Sequence, residues 1–203
     1  MTIIVVVKND DKTIIGTDKR LMENNTIVSE NASKILIKNL PVQDKDMEFQ
    51  EEFLIAFSGL YTLFELLKTF TVPLKSSEES FFEYLYRIFI PQLNEYFAKY
   101  YFKDEYNGHT GVDRELIIAY KTNVFVVEYN LGICEINTPY YATGAARDIA
   151  LGSLYTYHND HSHPVERFMV EKAIKACAAH NNICNNNIEL YSITKEGDIK
   201  QIK

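Results

Sequence analysis

Cysteine and basic charge are both scarce in this sequence. Its 203 residues include only three cysteines, Cys134, Cys177 and Cys184, with no C-x-x-C spacing among them. An odd number of cysteines does not form a disulfide framework, which favours a reducing, cytoplasmic compartment. The 21 basic residues are outnumbered by 28 acidic ones, giving a net charge of -7 that argues against a general nucleic-acid binder.

The chain also lacks the features of a membrane or secreted protein. No apolar run is long enough to span a bilayer, so we expect no membrane partner. The N-terminus has no basic n-region, so we expect no secretory signal. The length and the 46% hydrophobic content instead fit one well-buried domain over residues 1–203.

Turn residues and β-branched runs predict that the chain begins with strands. Residues 2–8 and 12–17 form a hairpin around Asn9-Asp10-Asp11, and residues 26–28 and 34–38 are interpreted as a second hairpin. A buried strand follows at residues 52–57 and ends at Ser58-Gly59.

The apolar period then changes to that of a helix. Residues 60–70 are predicted to be helical up to Pro73, and an N-cap signal at residues 76–79 opens a long helix to about Phe102 that Pro91 should kink or break. A polar loop covers residues 103–113. The remaining predicted elements are strands at 115–121, 124–130 and 133–136, helices near 144–157 and 164–180, and strands at 187–194 and 198–202.

Helices that lie between runs of strands indicate an α+β fold rather than a βαβ winding. Two antiparallel sheets packed face to face, with a helix layer outside each, would use every predicted element. The sequence shows no internal repeat and no linker.

Thr2 is a candidate nucleophile. An initiator methionine before a small residue is usually removed, and without Met1 the residue Thr2 carries a hydroxyl and a free α-amine. An α-amine has a pKa of about 8, so it can accept a proton at cellular pH. Taken alone, Thr2 is more often a small residue at an ordinary strand start, and its chemistry depends on the rest of the chain.

Six segments together resemble the β-type subunits of the proteasome core and the bacterial HslV-type peptidase. The resemblance covers nearly the whole chain, although no single motif is strong. The segments are Thr2-Ile3-Ile4-Val5, Ile15-Gly16-Thr17-Asp18-Lys19-Arg20, Asn31-Ala32-Ser33-Lys34-Ile35, Ala56-Phe57-Ser58-Gly59, Tyr141-Ala142-Thr143-Gly144-Ala145-Ala146 and Asn181-Asn182-Ile183-Cys184-Asn185.

The resemblance implies a fold and a set of roles. It implies a four-layer αββα N-terminal-nucleophile hydrolase fold, with two antiparallel sheets between helix layers. Thr2 would attack an amide carbonyl while its own α-amine takes the proton, and Lys34, held charged by Asp18, would favour the alkoxide. The N–H of Gly59 would stabilise the oxyanion, and Arg20 would support the site. An Asp–Lys pair such as Asp18 and Lys34, taken alone, is more often structural than catalytic.

The sequence departs from the family pattern around the nucleophile. Thr143, before Gly144, stands where the family has serine, and its hydroxyl could bond to the Thr2 amine. Asn181 stands where the family commonly has aspartate, so a negative charge is lost. Cys184 replaces a serine, and a thiol is a poorer hydrogen-bond partner. These differences affect the residues that hold the amine, whereas Thr2, Asp18 and Lys34 remain.

Three functions follow as hypotheses. The first is a threonine-type peptidase or amidase in a homo-oligomeric ring, acting on peptide or unfolded protein, with an ATP-dependent unfoldase as a conceivable partner. The second is a catalytically silent scaffold, which a retained Met1 would favour. The third is a small-molecule amide hydrolase of the N-terminal-nucleophile class.

The aromatic segment at residues 81–106 is interpreted as core or as ring interface.

We expect no cofactor and no metal. His158, Asp160, His161 and His163 lie close together in the sequence, and imidazole suits zinc or nickel. Their spacing matches no common zinc signature, so we interpret them as solvated loop residues.

Overall fold

Two β-sheets stack face to face in the computed structural model of the protein, which describes residues 2–23, 26–100, 114–128, 130–160 and 165–202. The first sheet is antiparallel throughout, in the order β11-β1-β2-β12-β13. Its strands are β1 (Ile3–Lys8), β2 (Lys12–Asp18), β11 (Tyr140–Gly144), β12 (Ile188–Thr194) and β13 (Ile199–Ile202). The predicted first hairpin and the two C-terminal strands are confirmed, and β11 was not predicted.

The second sheet has six strands in the order β10-β9-β8-β6-β5-β7. All neighbours are antiparallel except β5 and the two-residue β7, which run parallel. The strands are β5 (Ile35–Asp44), β6 (Met47–Gly59), β7 (Lys75–Ser76), β8 (Arg114–Tyr120), β9 (Asn123–Val127) and β10 (Ile133–Glu135).

The predicted hairpin between residues 26–28 and 34–38 is wrong. Strand β4 (Thr26–Ser29) pairs with β3 (Leu21–Glu23) in a separate two-stranded ribbon. The segment at 34–38 instead begins β5, which pairs along its full ten-residue length with β6. A tight turn with Lys45 at φ 52° joins β5 to β6. The ladder between β5 and β6 is longer than any ladder that β5 could form with the four-residue β4.

The helices are α1 (Tyr61–Thr69), α2 (Phe81–Tyr84), a π-helical turn (Leu85–Phe89), α3 (Ile90–Tyr100), α4 (Arg147–Asp160) and α5 (Glu166–His180). The long aromatic helix begins later than predicted, because Ser80 and Glu83 form its capping box. Pro91 does not break it, since the preceding π-helical turn lets the Ile90 N–H bond to the Leu85 carbonyl. The predicted loop at 103–113 and the helix start at Pro164 lie outside the described residues.

Three apolar clusters hold four layers together. Side chains of α1 to α3 pack on the outer face of the second sheet around Phe53 and Phe89. Side chains of α4 and α5 pack on the outer face of the first sheet around Ile3 and Ile174. The third cluster lies between the sheets and includes Ile4. The predicted order of helix layer, sheet, sheet and helix layer is therefore confirmed.

Candidate active site

The apolar layer between the sheets becomes polar at one end, where Thr2 immediately precedes β1. Side chains alternate along a strand, so Thr2 lies on the same inter-sheet face as Ile4. Thr17 and Thr143 lie directly opposite Ile4 on the two neighbouring strands. In the second sheet Ser58 and Glu115 face each other as the next inter-sheet pair beyond Ala56 and Ile117. The final inter-sheet positions therefore carry hydroxyl and carboxyl groups rather than apolar side chains.

Thr2 is fixed and enclosed. Its residue is 3% exposed, and its hydroxyl has no hydrogen-bond partner among the described residues. Its carbonyl oxygen accepts a 3.0 Å hydrogen bond from the Ala145 N–H. A buried hydroxyl without a partner costs free energy, and among the described residues Thr2 shares this feature with Thr13.

Asp18 and Lys34 form a buried ion pair beside Thr2. The Lys34 Nζ donates to Asp18 Oδ1 at 2.9 Å, and the side chains are 5% and 0% exposed. Asp18 also accepts the backbone N–H of Ile3, the residue after Thr2, at 3.2 Å. Burial lowers the pKa of Lys34, and the Asp18 carboxylate opposes that shift. The structure therefore pairs the predicted Asp18 and Lys34 and links Asp18 to the residue that follows Thr2.

Glu189 is a buried carboxylate that sequence reasoning missed. Its residue is 4% exposed and lies opposite Thr17 on β12. Its oxygens accept bonds from the N–H groups of Lys34 at 2.6 Å and Ile35 at 3.2 Å, from the Ser33 hydroxyl at 3.0 and 3.1 Å, and from the Thr17 hydroxyl at 3.3 Å. A single acidic residue in a strand that is otherwise half apolar, Ile188-Glu189-Leu190, was the available signal.

Thr143 has a different partner from the one expected for it. Its hydroxyl donates to the carboxylate of Glu115 across the gap between the sheets. Glu115 therefore supplies a negative charge at this end of the layer that the sequence motifs did not identify. Next to Thr143, Gly144 adopts φ +107°, a conformation that residues with a side chain rarely adopt.

Arg20 supports the site through its backbone rather than through its charge. The Arg20 N–H donates to Asp18 Oδ2 at 3.0 Å. Its guanidinium points away from this pair and donates to both carboxylate oxygens of Glu30, at 3.0 and 3.1 Å, and to the Asn182 carbonyl. Arg20 thus ties the end of β2 to the loop after α5.

Asn181 and Cys184 lie in that loop with separate environments. The Asn181 side-chain oxygen accepts the Ile183 N–H at 2.9 Å, which stabilises the loop itself. Cys184 is buried, and burial, reinforced by the nearby charge of Asp18, raises the pKa of its thiol to about 12. Cys184 therefore packs near Asp18 as a neutral thiol, whereas the Asn181 amide oxygen is used within the loop.

Gly59 ends β6 at φ 146°, a conformation that favours glycine. Two residues earlier, the Phe57 N–H donates to the Lys34 carbonyl at 3.0 Å. This bond attaches the strand that leads to Gly59 to the segment that carries Lys34.

The described residues include no cluster of three or more metal-binding side chains. His158 and Asp160 belong to the end of α4 rather than to a loop, and the His158 ring packs on Tyr140 at 5.4 Å. His161 and His163 lie outside the described residues. None of the described helices is both long and apolar enough to cross a membrane.

Comparisons with known proteins agree on the fold. No protein-family model and no curated protein matches the sequence. Among solved structures, Thiobacillus denitrificans BPH is similar with a TM-score of 0.73 and 18% identity, over 97% of this chain and 100% of that one. The same protein in complex with epoxomicin gives 0.69 and 16%, over 95% and 98%. Eukaryotic HslV from Trypanosoma brucei gives 0.61 and 12%, over 95% and 99%. The chain therefore has the proteasome/HslV-type, N-terminal-nucleophile hydrolase fold.

Proposed function

We propose that the protein is a threonine-type amide hydrolase whose nucleophile is Thr2 after removal of Met1. The observation that carries the proposal is the buried Thr2 hydroxyl without a partner, next to Ile3, whose N–H donates to the buried Asp18–Lys34 ion pair. A hydroxyl and an α-amine on one residue supply a nucleophile and its base.

Each group then has a defined role. Thr2 Oγ attacks the amide carbonyl, and the α-amine takes the hydroxyl proton through a water. The same proton passes to the departing amine as the C–N bond breaks and an ester forms on Thr2. A second water hydrolyses that ester and restores the hydroxyl. Lys34 favours the developing alkoxide as an ammonium that Asp18 holds in place, and the Gly59 N–H stabilises the oxyanion.

Peptides and unfolded proteins are the proposed substrates, and a homo-oligomeric ring is the proposed assembly. The exposed aromatic side chains of Phe82, Tyr86 and Tyr100 on the helices outside the second sheet support an interface there. A closed ring admits only unfolded chains, which is the reason to test for an ATP-dependent unfoldase partner. Native mass spectrometry would give the number of subunits.

A catalytically silent scaffold is the second candidate. Two observations favour it: the Thr143 hydroxyl is directed to Glu115, and the Asn181 side chain is used within its own loop. The Thr143 proton and the Asn181 oxygen are then both used away from Thr2. This candidate predicts a retained Met1 and no hydrolysis.

A small-molecule amide hydrolase differs from both other candidates, because it would cleave small amides without an unfoldase.

The test combines intact mass with hydrolysis of fluorogenic peptides. We expect a mass lower by one methionine residue, turnover by the wild type and no turnover by Thr2→Ala. Thr13→Ala is the matched control, because Thr13 is also buried with an unpartnered hydroxyl and should leave turnover intact. Epoxomicin, which BPH binds, should modify Thr2. Activity that survives Thr2→Ala would exclude Thr2 as nucleophile, and a full-length mass without turnover would favour the scaffold.

A further inference from the structure

The segment that carries Lys34 is held by a carboxylate from β12, a strand of the first sheet that is not adjacent to β1. Glu189 lies on β12, separated from β1 by β2, and its side chain enters the inter-sheet layer opposite Thr17. The other side chains of β12 in this layer are in apolar surroundings. Ile193 belongs to the inter-sheet cluster, and the partly buried Tyr191 packs against it. A carboxylate in such a position is unfavourable unless its oxygens are fully hydrogen-bonded.

Hydrogen bonds to Glu189 come almost entirely from one short segment. Ser33, Lys34 and Ile35 provide two backbone N–H groups and one hydroxyl, and the shortest bond, 2.6 Å, comes from Lys34 itself. These residues immediately precede and begin β5, where ladder pairing with β6 starts at Ile35. Glu189 therefore holds the Lys34 N–H, while the Lys34 carbonyl accepts the Phe57 N–H of β6.

We infer that Glu189 is the positioning residue for Lys34: it anchors the 33–35 backbone so that the Lys34 ammonium reaches Asp18, and it adds a second negative charge near that ammonium. This inference rests on the proposed function for its catalytic consequence, but the effect on Lys34 is measurable without activity. Asp18 contacts the ammonium and Glu189 contacts the backbone of the same residue, so the two carboxylates act on Lys34 from different sides.

Three ionisable groups act on the Lys34 ammonium in the described part of the chain. Asp18 comes from β2, Glu189 from β12 and Cys184 from the loop after α5. The carboxylates favour the charged form of Lys34, whereas burial disfavours it. Removing the charge of Glu189 should therefore let Lys34 lose its proton at a lower pH.

The test uses Glu189→Gln, which keeps the size of the side chain and removes its charge. Competitive acetylation across a pH series, followed by peptide mass spectrometry, gives the titration midpoint of Lys34. We expect the midpoint to fall, because one of the two carboxylates that favour the ammonium loses its charge. Glu51→Gln is the matched control, because Glu51 is a part-buried carboxylate that bonds to Tyr120 and Lys121 away from the site. It should leave the Lys34 midpoint unchanged.

The kinetic arm separates positioning from general stability. Glu189→Gln should lower kcat about tenfold, leave KM unchanged and move the alkaline limb of the rate profile to lower pH. A purely structural role would lower the melting temperature without moving that limb. If the wild type has no turnover, the proposed function fails while the acetylation midpoint still decides the role of Glu189.

An unchanged Lys34 midpoint in folded Glu189→Gln overturns the inference. If that variant does not fold, Glu189→Asp replaces it, because aspartate keeps the charge but withdraws it by one methylene from the Lys34 N–H. A smaller downward shift is then expected, and no shift overturns the inference as well.

Discussion

Gly144 lies so close to Thr2 that a Cβ at position 144 would come within 2.1 Å of the Thr2 carbonyl oxygen. The same carbonyl accepts the hydrogen bond from the Ala145 N–H, so the turn after β11 contacts Thr2 through backbone atoms alone. Glycine at 144 is required both by this contact and by its φ of +107°. The position of the candidate nucleophile therefore depends on a residue that carries no side chain.

Gly144→Ala should destabilise the fold and displace Thr2. The steric contact and the backbone strain together are expected to lower the free energy of unfolding by about 3 kcal/mol, measured by denaturant titration. Gly152→Ala is the control, because Gly152 lies in α4 with nothing near its missing Cβ. That variant should gain up to about 1 kcal/mol. Equal stability of the two variants would contradict the steric role of Gly144.

The layer order and the first hairpin were predictable from sequence, but the more distant strand partners were not. Asn9-Asp10-Asp11 marks the first hairpin because a turn is a local signal. The partner of residues 34–38 depends on a 13-residue strand and on a Lys45 turn that carries no glycine, so local patterns misassigned it. Strand β11 escaped detection for the same reason, since its pairing with β1 spans more than 130 residues.

Removing Asp18 should lower the free energy of unfolding more than removing Lys34 does. Asp18→Asn leaves the Lys34 ammonium buried without a carboxylate contact, and we expect a loss of about 3–5 kcal/mol in the free energy of unfolding. Lys34→Met should cost less, because Asp18 keeps the N–H groups of Ile3 and Arg20. Equal losses, measured by denaturant titration at neutral pH, would argue against this account of the pair.

The same lysine gives a signed dependence on pH. Burial lowers the folded pKa of Lys34 from its ordinary 10.5, so between the two values the unfolded chain binds more protons than the folded chain. The contribution of Lys34 to folding stability should therefore rise with pH over that interval. Wild type minus Lys34→Met, compared by denaturant titration across the alkaline range, isolates this term. A difference that stays flat or falls would contradict the lowered pKa.

Glu115 and Thr143 should be energetically coupled across the two sheets. Their hydrogen bond is charge-assisted, and we expect a coupling of about 1–2 kcal/mol in a double-mutant cycle of Glu115→Gln and Thr143→Val. Unfolding free energies of the four proteins provide the measurement. Effects that add within about 0.5 kcal/mol would show that the two side chains act independently.

The three cysteines should react with a maleimide at very different rates. Cys134 is exposed, whereas Cys177 and Cys184 are buried. Burial raises the pKa of the two buried thiols to about 11 and about 12, so almost no thiolate is available near neutral pH. Peptide mapping should find Cys134 labelled in the folded protein and the other two only after unfolding. Rapid labelling of Cys184 in the folded protein would contradict its burial beside Asp18.

Sequence motifs identified the charged pair of the site but not the carboxylates around it. Asp18 and Lys34 follow short local patterns near the N-terminus, and the fold brings them together as expected. Glu115 and Glu189 reach the site from β8 and β12, far away in sequence, and an isolated glutamate in a strand has no motif. Their roles follow only from sheet register, which places every second side chain in the inter-sheet layer.

Thr2→Val should separate stability from catalysis. Valine replaces the unpartnered hydroxyl with a methyl group of similar size, so the free energy of unfolding is expected to rise by about 1 kcal/mol. Hydrolysis of peptides should be lost, because valine has no nucleophile. Thr13→Val makes the same exchange at the other buried, unpartnered hydroxyl and should raise stability without loss of turnover.

A gain of stability in Thr2→Val with activity intact would mean that Thr2 is not the nucleophile. A loss of stability would mean that its hydroxyl is satisfied within the fold. The pattern expected of a nucleophile is a more stable, inactive protein at position 2 and a more stable, active one at position 13.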